Sequence, residues 1–445
     1  MSNRNYLTFN YPTAISGKTL LTGIRPVEED SRSNAGTDKD KDKSWYITGF
    51  FKIEDLKSNA KLEKDKKDGK DGKEGEGIKK KLKDAPPTIS FLYKGNLGSC
   101  TSCTSRAHCV RCTCCTSCKN QEVQGTFYAL NYPSSSGVTV SATNLYGPND
   151  LGDGLVRVVG NYTTEEMGAS AIACMYTGCP DGRGIWETLT PIFPNVTVTT
   201  AIAHSNDGNF AVGGYTVNNS IFLKGFLYDI EKKKYHNIIK PDDPNVKSIT
   251  GYGIINWKRE KKKEKEKERE KKGRKGDKKL HSCSTSRSRS LSNMYTICGG
   301  YVSSDIKLGF ESAFLVDWNA ETETFSNFQT FYYNNSPHLL AVTHFNGISF
   351  ADPKGISSGF TLTGDTDFNK SKGFFAHVSC AERSNASNGS NGSNGPPIGQ
   401  AIWQDISFPN SFITSGNSIS QDIVIGVYSN ELGGKVNGYV SCQQP

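Results

Sequence analysis

Short segments of alternating or clustered hydrophobic residues recur along the chain, separated by turns rich in Asn, Asp, Gly and Lys. The clearest unit runs from Thr199 to Pro241 and reads TTAIAHSNDGN, FAVGGYTVNNS, KGFLYDIEKKK and YHNIIKP. Each of these pieces has the length and pattern of a β-strand followed by a turn signal. Four short strands in a unit of this size are typical of one blade of a β-propeller.

The same order of segments recurs elsewhere in the chain. Tyr295–Tyr301 matches FAVGGYT, and Ser312–Trp318 matches KGFLYDI. We expect six units from such matches, with five or seven left open because insertions can hide or mimic strands. The six units are 45–133, 155–194, 199–241, 247–333, 341–409, and 416–442 combined with 5–12.

The last unit lacks a strand, and the N-terminal segment supplies a matching one. Residues 422–429 and 436–442 give two strands, whereas Asn5–Pro12 (NYLTFNYP) resembles the segments that end the other units. A blade split between the two ends of the chain closes a ring and leaves no unpaired edge there. We therefore predict an all-β, six-bladed β-propeller. An N-terminal strand completes its C-terminal blade, and residues 1–445 form a single domain.

The segments that end NYP, IFP, IKP and SFP, together with VGGYT followed by KGFLYD, resemble bacterial extracellular repeats of the HAF type. The Gly-Gly and Tyr-Asp signals are also, more distantly, similar to kelch repeats. Kelch units carry a Trp in the strand after the Tyr-Asp strand, where this chain has Tyr235, Phe328 or Trp403. The resemblance implies a propeller and an extracellular or surface location, and it implies no defined activity.

Five low-complexity segments interrupt the repeat, and we expect them to be disordered loops. Long insertions in surface loops add little closure entropy, so the ring tolerates them. These insertions are 28–44, 54–87, 99–124, 257–293 and 381–397.

The net charge of +8 is concentrated in the insertions, and the rest of the chain is close to neutral. The Lys/Glu tract at 258–280 lacks the interleaved aromatic residues of a single-strand binding platform, so we do not expect a nucleic-acid partner. No stretch is long enough to span a membrane, and the N-terminus lacks the apolar segment of a signal peptide.

Seven of the 13 cysteines fall within the insertion at 99–124. Six of them form three C-x-x-C pairs, a spacing that lets two thiolates reach one tetrahedral Zn²⁺. The candidate zinc ligands are Cys100, Cys103, Cys109, Cys112, Cys115 and Cys118. Disulfide pairing and an incidental Cys/Thr/Ser repeat remain open, and no other cofactor is expected.

The remaining cysteines are scattered. Cys174 and Cys298 lie in strands and are expected to be small buried core residues. Cys174 and Cys179 are close enough in sequence to bridge across a turn.

No nucleophile elbow, phosphate-binding loop, HExxH helix or dinucleotide-binding fingerprint is present, so we expect no catalytic and no cofactor-binding residues. His204 and His344 fall at comparable places in their units, near one end of the central channel. Other units place Leu145, Tyr252 or Ser418 there, so no ring of equivalent ligands is expected.

The sequence therefore favours a non-enzymatic structural or interaction protein. We expect a monomeric ring that presents its loop faces to a macromolecular or glycan partner. Two alternatives stay open: a glycan-active hydrolase or lyase at the channel mouth, and a metal-binding protein that works through the Cys-rich loop.

Overall fold

Nearly all of the regular structure is β-sheet. The structure is a computed structural model, and no helix in the part of the chain it describes is long and apolar enough to cross a membrane. A short 3-10 turn, Tyr333–Asn335, lies among the described strands. The structure describes residues 6–11, 19–27, 44–52, 88–97, 124–135, 137–166, 170–218, 220–238, 246–257, 293–303, 310–337, 341–352, 355–367, 371–379 and 399–443.

The strands follow one another in chain order, and most are five to ten residues long. The first nine are β1 (Tyr6–Thr8), β2 (Thr19–Pro26), β3 (Ser44–Lys52), β4 (Thr88–Asn96), β5 (Gln124–Ala129), β6 (Val140–Gly152), β7 (Leu155–Thr164), β8 (Ile172–Gly178) and β9 (Gly184–Thr188). The next eight are β10 (Val198–Asp207), β11 (Phe210–Val217), β12 (Lys224–Asp229), β13 (Lys234–Ile238), β14 (Ser248–Asn256), β15 (Met294–Val302), β16 (Ser312–Asn319) and β17 (Thr324–Phe331). The last seven are β18 (Thr343–Asp352), β19 (Gly355–Thr366), β20 (Lys372–Val378), β21 (Ile402–Ile406), β22 (Ile413–Ser420), β23 (Ile423–Ser429) and β24 (Asn437–Cys442).

These strands form sheets arranged as a β-propeller-like ring. Four sheets have four strands each: β10–β13, β14–β17, β18–β21, and β22–β24 with β1 at the edge. The other eight strands, β2 to β9, form one sheet. Within it, β2–β5 and β6–β9 are joined through one parallel pair, Thr88 with Ala142. In place of the six separate four-stranded sheets expected, there are four such sheets and one eight-stranded sheet, because this bridge joins the first eight strands.

The two ends of the described chain meet in one sheet. β1 pairs antiparallel with β24, placing Tyr6 opposite Ser441 and Thr8 opposite Tyr439. The Phe9 amide continues the pairing by donating to the Gly438 carbonyl at 2.9 Å. This is the pairing that the incomplete last unit predicts.

Two strands, β2 and β6, lie outside the predicted units. Both are the first strand of their four-strand run, and both carry turn-like residues within the strand, such as the Gly-Pro-Asn of NLYGPND in β6. Both strands deviate from regular pairing at these residues, so the simple alternation expected of a half-buried strand is lost.

The predicted insertions lie almost wholly outside the described residues. Their edges are the exception, since Ser44 begins β3 and Gln124 begins β5. Trp257 is also described, and its indole N–H donates to Thr296 Oγ1 at 2.9 Å.

The core lies between neighbouring sheets. One apolar cluster joins Val212 and Leu227 of β10–β13 to Ile249, Ile297 and Trp318 of β14–β17. Burial of such side chains is worth about 1.5–3 kcal/mol each, so this cluster stabilises the contact between the two sheets.

Cys174 and Cys298 are fully buried, as expected. Cys174 and Cys179 are both free thiols, so the bridge that their spacing permits does not form.

Candidate ligand-binding site at the channel mouth

Six first strands, β2, β6, β10, β14, β18 and β22, each carry a β-bulge at an equivalent position. A bulge inserts an extra residue into the strand and redirects its side chain. All six extra side chains are half-buried and line one cavity. We call this set the bulge ring: Thr22, Tyr146, His204, Tyr252, Asn346 and Asn417.

A glycine on the second strand accompanies every bulge. It pairs with the residue just before the bulged position, and a Cβ there would overlap a carbonyl oxygen of the first strand. The first strand can approach this closely only where the second strand has no side chain. The six glycines are Gly49, Gly160, Gly213, Gly299, Gly364 and Gly426.

These glycines explain a recurring part of the sequence. VGGYT, CGGYV and VIGVY are three of the repeated segments that contain them. The repeated glycine was visible in the sequence, whereas its role in placing a bulge was not. In each case the bulged residue directly follows the first-strand residue that pairs with the glycine, so only strand pairing identifies it.

The bulge ring surrounds a cavity of about 240 Å³, and Leu20 and Phe50 complete its wall. We call this cavity the channel mouth. Beyond it the channel narrows to a space of about 10 Å³ beside Arg25. The Arg25 guanidinium donates hydrogen bonds to the carbonyls of Ile254 and Ile348, at 3.1 and 3.3 Å. Arg25 thus blocks the inner end of this cavity. We call that inner end the channel floor.

His204 stands between two tyrosine rings of the bulge ring. Its centroid lies 5.2 Å from that of Tyr146 and 4.8 Å from that of Tyr252, both edge-on. Burial and the nearby charge of His344 lower the pKa of His204 to about 4, so the imidazole is neutral at physiological pH. Burial raises the pKa of Tyr146 to about 12, which keeps that phenol protonated.

His344 has the opposite charge state. Its Nδ1 lies 3.1 Å from Glu311 Oε2, and its Nε2 lies 3.5 Å from Asp365 Oδ2. Burial alone would lower the pKa of His344, but hydrogen bonds and charge attraction from Asp365 and Glu311 outweigh it and raise the pKa to about 10. His344 is therefore an imidazolium held between two carboxylates, beside the ring of Tyr252 at 5.5 Å between centroids.

Asp365 also connects two neighbouring bulges. Its Oδ2 accepts hydrogen bonds from Asn346 Nδ2 at 2.8 Å and from Ser415 Oγ at 3.0 Å. Its Oδ1 accepts from the backbone N–H of Gly416 at 2.9 Å. This carboxylate therefore fixes the orientation of the Asn346 amide and holds the β22 backbone next to Asn417.

Other hydrogen bonds at the mouth join the last sheet to the first and, within the eight-stranded sheet, join β2 to β6. Asn417 Nδ2 donates to the Leu21 carbonyl at 2.6 Å, and Thr22 Oγ1 donates to the Leu145 carbonyl at 2.5 Å. Ser418 Oγ accepts from the Ile24 amide at 3.3 Å. Hydrogen bonds thus join the residues around the mouth to one another. We call these residues the rim of the mouth.

The structure places the predicted channel residues only partly as expected. Tyr252 lines the mouth, and His204 does too. The β18 counterpart of His204 is Asn346 rather than His344, because the bulge falls two residues later. Tyr146 and Asn417 line the mouth in place of Leu145 and Ser418, each one residue away, since a bulge changes the alternation of side chains.

The six candidate zinc ligands, Cys100 to Cys118, lie outside the described residues, so the zinc site stays a prediction. Within the described ranges, no group of three or more His, Cys, Asp or Glu side chains is placed to hold a metal ion.

No known protein-family model matches the chain, and no curated protein matches it. The family resemblances to HAF-type and kelch repeats therefore gain no support from these comparisons. The fold and the mouth define a class: a β-propeller-like ring with a small cavity at its centre.

Proposed function

We propose that the chain is a six-bladed β-propeller that acts as a non-enzymatic binding module, with its ligand site at the channel mouth. Six repeats of one bulge and its glycine support a count of six blades. The single-pair bridge between β4 and β6 supports dividing the eight-stranded sheet into two blades. The Asn417–Leu21 hydrogen bond and the pairing of β1 with β24 support closure across the chain ends.

One observation carries the binding function: two polar side chains of the bulge ring, those of His204 and Tyr146, face the cavity with no hydrogen-bond partner among the described residues. No hydrogen bond joins the His204 imidazole to any other described residue, and the same holds for the Tyr146 hydroxyl. Half-buried polar groups that lack internal partners are normally satisfied by water or by a ligand.

The carboxylates nearest the mouth favour binding over hydrolysis. Hydrolysis of a glycosidic bond requires one carboxyl that donates a proton and a second that acts as a base or nucleophile. Glu311 and Asp365 instead flank the His344 imidazolium, and Asp365 accepts three further hydrogen bonds. The carboxylates of Glu311 and Asp365 therefore stabilise the rim of the mouth.

The proposal is tested by ligand-observed NMR on the full chain with a library of small neutral, anionic and cationic compounds. His204→Trp fills the mouth, and His236→Trp is the matched control because His236 is a half-buried histidine on the outer strand β13. We expect compounds that bind the wild type and the control but not His204→Trp, and no product formed from them. Equal binding to all three proteins, or turnover, would overturn the proposal.

A further inference from the structure

We propose that the channel mouth binds a neutral saccharide, either one sugar unit or the terminal unit of a glycan. The inference rests on the proposed function and names the ligand class of the same site. Sugars combine apolar C–H faces with hydroxyl edges, and the mouth offers surfaces of both kinds. Its apolar wall is formed by Leu20, Phe50 and the rings of Tyr146 and Tyr252.

The hydrogen-bonding groups of the mouth suit hydroxyls. Asn346 Nδ2 donates to Asp365 and to the Gly416 carbonyl at 3.0 Å, so its amide oxygen is the group left to accept from a ligand. The neutral His204 imidazole has one donor and one acceptor nitrogen, and the Tyr146 hydroxyl can do both. A sugar hydroxyl also donates and accepts, so each of these groups finds a complement in it.

The charge distribution favours a neutral ligand. His204 is uncharged, and the two cations, His344 and Arg25, are matched in number by the carboxylates of Glu311 and Asp365, so these charges sum to zero. The Arg25 guanidinium at the floor is engaged by backbone carbonyls. A ligand carboxylate, phosphate or ammonium would lose part of its hydration in the mouth without a net charge of opposite sign to offset that loss.

The shape of the site sets how a glycan enters. The cavity has a volume of about 240 Å³. One water molecule in the liquid occupies about 30 Å³, so the cavity can hold a compact ligand larger than water. Arg25 obstructs the channel beyond the mouth, so a polymer cannot thread through the ring. A glycan therefore enters by one terminal sugar, and a free monosaccharide occupies the same place.

The experiment titrates the full-length protein with methyl glycosides of glucose, galactose, mannose and N-acetylglucosamine, followed by ligand-observed NMR. Glucuronate and glucosamine are the matched anionic and cationic probes. We expect at least one neutral glycoside to bind at least about tenfold more tightly than both charged probes, a difference that corresponds to about 1.4 kcal/mol. We expect His204→Ala to weaken that binding about tenfold or more, and His236→Ala to leave it unchanged.

The outcomes separate this inference from the function on which it rests. Failure of every neutral glycoside, preference for a charged probe, or sugar binding insensitive to His204→Ala would each overturn the saccharide assignment. If other compounds then bind the wild type but not His204→Trp, the binding module stands and only the ligand class is wrong. Should His204→Ala fold poorly, Tyr146→Phe removes one hydroxyl from the same wall and is expected to weaken sugar binding severalfold.

Discussion

The two ends of the central channel are built from the same six strands, yet they satisfy their polar groups differently. At the floor, the Arg25 guanidinium is bound by the carbonyls of Ile254 and Ile348. At the mouth, His204 and Tyr146 face a cavity with no hydrogen bond to another described side chain. Polar groups satisfied inside the protein support the fold, whereas groups left open to a cavity are available to a ligand. The floor is therefore expected to govern stability and the mouth to govern binding.

The largest expected effect comes from the backbone geometry that creates the mouth. In Gly213→Ala, the new Cβ meets the Ile202 carbonyl oxygen and, at 2.7 Å, the ring of Phe226. Neither can move without displacing the strand or the core, so we expect a loss of about 3 kcal/mol in the free energy of unfolding, measured by denaturant titration.

Gly214→Ala is the matched control for that substitution, since it lies next to Gly213 on β11. The three heavy atoms nearest to its Cβ are side-chain atoms, two of Thr250 at 3.1 Å and one of Leu223 at 3.5 Å. We expect a loss below about 1 kcal/mol. Equal losses in the two variants would show that close approach at the bulge does not require glycine.

The second prediction compares how much the floor and the mouth contribute to the free energy of unfolding. Arg25→Met removes the hydrogen bonds to two buried carbonyls, and hydrogen bonds to charged groups are worth about 1.5–3 kcal/mol. We expect Arg25→Met to lower the free energy of unfolding by about 2 kcal/mol.

The mouth counterpart is His204→Ala, measured by the same denaturant titration. This variant loses ring contacts but no hydrogen bond to a described residue, so we expect a loss below about 1 kcal/mol. A ranking in which His204→Ala is the more destabilising variant would contradict the division between floor and mouth.

Much of the fold could be predicted from the sequence because most strands follow a regular pattern. KGFLYDI and SAFLVDW are central strands with buried residues and clear turn signals, and the structure has both as strands β12 and β16. The N-terminal strand was also identifiable, because YLTFNYP repeats a segment that ends other units.

The site could be predicted only in part because bulges break the alternation on which strand prediction depends. Tyr252 and His204 were found near the channel, whereas Asn346 was missed in favour of His344 two residues earlier. An extra residue in one strand shifts every later side chain, and its position is fixed by pairing with a distant glycine such as Gly364. The ion pairs of His344 could not be predicted either, because Glu311 directly precedes β16 and Asp365 lies in β19, and these two segments meet only in the folded ring.

A further effect depends on pH and concerns the two histidines at the rim, whose pKa values are shifted in opposite directions. An unfolded histidine titrates near 6.5, whereas the folded pKa of His344 is about 10. Below pH 6.5, His344 is protonated in both states, and its contribution to stability is fully present. Between pH 6.5 and 10 the unfolded chain releases this proton while the folded chain retains it, so stability falls as the pH rises.

We expect the free energy of unfolding to decrease by about 1–3 kcal/mol between pH 6.5 and 9.5, measured by denaturant titration at fixed ionic strength. The charged or titratable groups that face His344 are Glu311, Asp365, His204 and Tyr252. The folded pKa of His204 is about 4, so its own proton linkage acts below pH 6.5 and leaves the alkaline slope unchanged. His344→Ala should therefore flatten the slope, whereas His204→Ala should retain it. If the free energy of unfolding of His344→Ala still decreases between pH 6.5 and 9.5, the imidazolium between Glu311 and Asp365 does not stabilise the rim.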